Sequence, residues 1–139
     1  MNFKIYTGSE QVTFRRLEKD SATVIEAGKM VTLDVNWLAE EADAASTSLA
    51  FTQDWAGEGQ TYVYVVALYE NLVFVGTADQ PFVAANRNTE VDLVINSGNQ
   101  EIDLWASTTD ALKVLGSDDA GTVWSEFGVK FKINKPICL

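Results

Sequence analysis

The sequence predicts an all-β protein: an antiparallel sandwich, a jelly-roll-like body or a small barrel, with an N-terminal arm or strand and at most one short helix. Three observations carry this reading. Runs rich in β-branched and aromatic residues recur about every 8–15 residues. Within those runs apolar and polar side chains alternate. Between them sit clusters of Gly, Asn, Asp and Ser, the residues that turns require.

The elements follow in order. Gln11–Leu17 places Val12 and Phe14 on one face, with Thr13 and Arg15 on the other. The turn Glu26–Lys29 leads into a strand over Met30–Val35. Trp37–Ala45 has a helix-forming composition with Asn36 as a cap, enough for one or two turns. After the turn Ala56–Gly59, the run Gln60–Leu68 is the strongest strand, because β-branched and aromatic residues fill it. A hairpin turn at Glu70–Asn71 leads to Leu72–Val75. Strands over Pro81–Ala84, Thr89–Ile95, Glu101–Trp105, Ala111–Leu115 and Phe127–Ile133 complete the set, with turns at Ser97–Asn99 and Gly116–Gly121. Val91, Leu93 and Ile95 oppose Asp92 and Val94, and Val129, Phe131 and Ile133 oppose Lys130 and Lys132. One apolar and one polar face describe an antiparallel sheet with a wet side.

A chain of 139 residues fits one domain. Its charge divides it unevenly. Residues 1–30 hold five bases and four acids, against a net charge of −10 for the whole. Between Met30 and Asp119 the only bases are Arg87 and Lys113. Residues 1–20 therefore read as a distinct segment, either the first strand of the sheet or an arm that pairs with a partner's strand edge. Residues 21–139 read as a single all-β body. An acidic body repels phosphate backbones, so neither nucleic acid nor membrane is expected as a partner.

Composition also removes chemistry. There is no histidine, and the one cysteine, Cys138, lies beside the C-terminus. Ser–His–acid and Cys–His catalysis need an imidazole, and zinc sites lean on His and Cys. No catalytic residue, cofactor or resident metal is expected, and the protein reads as a non-enzyme. The acids Glu40, Glu41 and Asp43, and the pair Asp118 and Asp119, lack calcium-loop spacing and read as solvated turns. No disulfide framework, signal peptide or spanning apolar run is expected, which fits assembly in a reducing cytoplasm. The tryptophans Trp37, Trp55, Trp105 and Trp124 are candidates for packing, oligomer contacts or sugar stacking. Trp37 and Trp55 lead as oligomer or ligand aromatics.

The stretch Ala22–Asp34, two apolar runs around Ala27-Gly28, resembles the opening of the small capsid decoration (cement) proteins of tailed bacteriophages. Glu41–Ala50, Ala56–Val65, Asp118–Val123 and Gly128–Asn134 are similar to that family's later segments, so the resemblance spans roughly residues 22–134. It implies a structural virion protein, made in the host cytoplasm and carried on the outer surface of the capsid. It further implies a homotrimer that bridges subunits of the major capsid protein and stabilises the expanded shell against internal pressure. On that reading the docking segment comprises Phe3, Lys4, Tyr6, Val12, Phe14, Arg15 and Arg16. Two other readings stand beside it: a carbohydrate-binding β-sandwich, and another virion part such as a tail or fibre module.

Overall fold

The computed structural model describes residues 3–7, 12–67, 72–117 and 128–138. Among them are eleven strands and no α-helix. The strands are β1 (Lys4–Thr7), β2 (Thr13–Glu18), β3 (Lys29–Leu33), β4 (Ala39–Glu41), β5 (Ala50–Thr52), β6 (Tyr62–Ala67), β7 (Val73–Thr77), β8 (Glu90–Asn96), β9 (Asn99–Asp103), β10 (Leu112–Ser117) and β11 (Gly128–Ile133).

They form two antiparallel layers of six and five strands, a sandwich rather than a closed barrel. The first layer runs β1-β7-β11-β10-β8-β9. The second consists of the ladders β2-β6 and β4-β3-β5. These adjoin where the Thr52 hydroxyl of β5 donates to the Tyr64 carbonyl of β6, at 2.8 Å. The six-stranded layer curls until the chain after β7 meets β9, and the Asp79 N–H donates to the Ile102 carbonyl at 2.9 Å.

Four phenylalanines tie the layers together. Ring centroids lie 5.2 Å apart for Phe3–Phe131, 5.6 Å for Phe131–Phe74 and 4.9 Å for Phe74–Phe51. Phe51 belongs to the five-stranded layer, and Phe74 and Phe131 to the six-stranded one. Phe3, 2% exposed, sits where Gly76 leaves room; a Cβ at that glycine would lie 2.3 Å from its ring. The backbone is pinned as well, since the Phe3 N–H donates to the Gly28 carbonyl at 2.9 Å. A second clasp is polar. The buried Gln100 of β9 accepts from the Met30 N–H at 2.7 Å and donates to the Met30 and Ala42 carbonyls. A buried amide with its groups satisfied links the layers without an unpaired polar atom.

Several sequence expectations change. Trp37–Ala45 is not helical: a turn leads into β4, and a second turn follows. The Asp34 carboxylate accepts the Asn36 and Leu38 N–H groups, and the Asp43 carboxylate accepts that of Ala45, local side-chain bonds that hold turns on either side of β4. Pro81–Ala84 joins no ladder and ends in a 3-10 turn, Ala84–Asn86, whose buried Asn86 side chain accepts the Val83 N–H. On β8, Val91 and Leu93 are buried, but Ile95 is exposed near the tip of the β8–β9 hairpin. That hairpin turns through Ser97 (φ 50°) and Gly98 (φ 79°), the two positive values that a type I′ turn needs. The turn at Glu70–Asn71 and most of the Gly116–Gly121 turn lie outside the described residues, as do Asp118, Asp119 and Trp124.

Residues 3–7 and 12–18 are built into the two layers, β1 as the outermost strand of one and β2 of the other. Phe3→Ala should therefore cost about 3–5 kcal/mol in chemical denaturation. Residues 21–139 alone should unfold at a clearly lower denaturant midpoint than the full chain. Equal midpoints would contradict this packing.

Candidate functional site

An exposed aromatic and two exposed arginines lie together on β2. Among the described residues this strand pairs with β6 alone, in the register Phe14–Val66, Arg16–Tyr64 and Glu18–Tyr62. Cross-strand partners share a face, so Phe14, Arg16, Tyr62 and Tyr64 form one patch. Phe14 is 49% exposed, and the Arg16 guanidinium stands 5.3 Å from the centre of the Tyr62 ring. That stacking orients a cation over an aromatic face. The Tyr62 and Tyr64 rings meet edge to face at 5.5 Å. Arg15 lies on the opposite side with Leu17 and is also exposed. An outermost strand offers main-chain donors and acceptors to a partner, and adjacent arginines discourage self-pairing.

The sequence-derived docking residues do not form one surface. Phe3 is in the core and Val12 packs partly buried against it. Lys4 and Tyr6 lie on β1 in the other layer, where the Lys130 ammonium stands 4.4 Å from the Tyr6 ring centre. Phe14 and Arg16 share the β2 patch, and Arg15 projects from its reverse side. Trp37 stands at the β3–β4 turn. Trp55, 62% exposed, lies against Gly57, where a Cβ would fall 2.1 Å from its indole ring. Glycine there leaves room for the ring to approach the backbone closely.

Other groups are committed to the fold. Among the described residues no three His, Cys, Asp or Glu side chains converge on a metal position. Glu41 accepts the Glu26 N–H, and Asp43 binds Ala45 and Ser46. The exposed Trp105 borders a shallow groove with Asn88, Thr89, Glu90 and Ser107.

Three carboxylates that sequence alternation could not single out shape the β8–β9 end. Asp92, expected on the wet face, is buried under residues 106–110. It accepts the N–H groups of Thr108, Thr109 and Asp110 and the Thr109 hydroxyl. Burial pushes its pKa up, but the backbone hydrogen bonds and the Thr109 hydroxyl outweigh burial and hold it below the usual aspartate range. Asp103, its cross-strand partner, is shifted the other way, by burial and then by the charge of Asp79, with which it shares a hydrogen bond. The only sequence signal for either was the Asp-rich spacing itself.

Comparison with known protein families, curated proteins and solved structures finds no match. The functional reading therefore rests on this chain's own surface.

The two aspartates give opposite pH signatures. Asp92 stabilises the fold above the ordinary aspartate value of about 3.9, and that stability is lost as pH falls through its lowered value. Asp103 carries no penalty below about 3.9 and a full one once pH has risen past its raised value. In thermal melts at neutral pH, Asp92→Asn should lower the melting temperature and Asp103→Asn should raise it. Both differences should shrink toward zero in strong acid. A gap that persisted there for Asp103→Asn would refute the electrostatic cause.

Proposed function

We propose that this protein is a structural virion component that binds the outer surface of an icosahedral phage head and bridges major capsid subunits. The observation that carries the reading is the β2 edge: an outermost strand bearing Phe14, Arg15 and Arg16 on a body of net charge −10. A strand edge can add to a partner's sheet through main-chain hydrogen bonds, and its side chains set the register. The mixed aromatic and basic patch has the residue types that anchor interfaces. A rigid sandwich suits a load-bearing bridge. Binding only the assembled lattice stabilises that lattice by mass action, and a trimer would add its contacts through effective concentration. The acidic remainder keeps decorated particles apart.

Co-sedimentation with expanded, undecorated capsids should give saturable binding at a stoichiometry fixed by the lattice. The double variant Phe14→Ser, Arg16→Ala should keep its melting temperature within a few degrees and bind at least about tenfold more weakly. No wild-type binding at micromolar protein would count against the reading, as would location on tails instead of heads.

A carbohydrate-binding role is the second reading, favoured by the exposed Trp55 ring packed against Gly57. An exposed aromatic face in fixed orientation is what a sugar ring stacks on. That reading predicts a saturable change in tryptophan fluorescence with oligosaccharides, abolished by Trp55→Ala. A flat titration across a polysaccharide panel would remove it.

A further inference from the structure

The turn between β3 and β4 contains a residue that the fold does not explain. Trp37 adopts φ 64°, in the left-handed region. The other non-glycine residues with positive φ are Asn88, Ser97 and Asp110, among the described residues. Those side chains are small and polar, and Asn and Asp are the types that tolerate this region best. Tryptophan is not, and its conformation is imposed by its surroundings. The Trp37 N–H donates to the Asp34 carbonyl at 3.0 Å, and the Asp34 N–H donates to the Leu38 carbonyl at 2.8 Å. The Asp34 carboxylate accepts the flanking Asn36 and Leu38 N–H groups at 2.8 and 3.0 Å. Four hydrogen bonds thus hold position 37 where glycine or asparagine would be at ease.

The side chain gains little burial in return for this strain. Trp37 is 78% exposed, and Val35, two residues earlier on the same turn, is 94% exposed. A large aromatic ring in a strained, over-determined conformation and in water points to use outside the chain. The charge around it narrows the partner. Asp34, Glu40 and Glu41 flank the tip, and residues 31–86 contain no Lys or Arg. An anionic membrane surface would repel this tip, whereas an apolar protein pocket with a cationic rim would complement it.

We propose that the β3–β4 turn is a docking knob, with Trp37 and Val35 as its apolar tip, that seats in a basic-rimmed apolar pocket of the shell protein. The partner's identity rests on the decoration reading above; the knob itself rests on the strain and exposure of Trp37. It is a second contact, on a different strand pair from the β2 edge.

The test compares the full-length wild type with Trp37→Ala and Trp37→Gly by thermal melting, light-scattering mass and co-sedimentation with expanded, undecorated capsids. Removing the ring should leave the melting temperature of Trp37→Ala within about 1 °C of wild type. Trp37→Gly, which also releases the backbone, should melt about 2–4 °C higher. Both should keep the wild-type mass and bind the shell at least about tenfold more weakly. A Trp37→Ala protein that melts several degrees lower would make the ring a structural residue and overturn the knob. So would variants that bind like wild type. A changed oligomer mass would make a second copy of this chain the occupant, overturning the shell pocket. Failure of the wild type to bind would remove the decoration reading and the shell as occupant, while wild-type binding matched by the variants would remove the knob alone.

Discussion

The phenylalanine stack is the interaction on which the rest of the architecture depends. Phe51 reaches from the five-stranded layer to Phe74 and Phe131 of the six-stranded layer, and Phe3 closes the row from the N-terminal side. Because Phe3 is consumed there, the segment that follows cannot trail free from its first residues. It enters one layer as β1 and the other as β2. β2 is an outermost strand, and its register with β6 sets Phe14 and Arg16 beside Tyr62 and Tyr64. The Phe14, Arg16, Tyr62 and Tyr64 patch is thus held by strand register and ring contacts within the fold.

Acids do two different jobs in this chain. Some of the negative charge is spent holding local structure: Asp34 and Asp92 each accept two or more N–H groups from nearby turns or loops, and Asp43 accepts the Ala45 N–H and the Ser46 hydroxyl. These carboxylates replace the hydrogen bonds that short strands and irregular loops leave unmade. Asp103 and Asp79, drawn together where β9 meets the chain after β7, work against the fold when both are charged. The net charge of −10 is therefore both a solubility device and part of the turn chemistry.

The fold class was legible because alternation is a direct image of a half-buried strand. Val129, Phe131 and Ile133 all face inward, as their period of two requires. The β8–β9 turn was legible because Ser97-Gly98 supplies the positive φ values that a two-residue hairpin needs. What failed was long-range. Asp92 is buried by a loop that lies 14 or more residues further along the chain, so no local pattern marks it. Trp37–Ala45 reads as helix by composition, but Ala39–Glu41 is drawn into a ladder with β3, a pairing that no local pattern marks. At the candidate site, the β2 residues were legible as a charged and aromatic strand. The division of Phe3 from Phe14 was not, because burial of the first depends on a glycine at position 76 in another strand. The exposure of Trp37 and its backbone strain left no sequence signal either: Asn36, the better left-handed residue, sits one position too early.

Two exposed elements, the β2 edge and the β3–β4 turn, sit on a sandwich whose interior is otherwise self-contained. On the proposed reading, the protein acts by where it sits on a larger assembly. The most direct test of that claim is an electron cryo-microscopy reconstruction of expanded phage heads saturated with the chain. The account predicts sandwich-sized density at repeated lattice positions on the outer surface, with β2 and the Trp37 turn directed at the shell. Bare heads, or density that contacts the shell only through other faces of the sandwich, would contradict it.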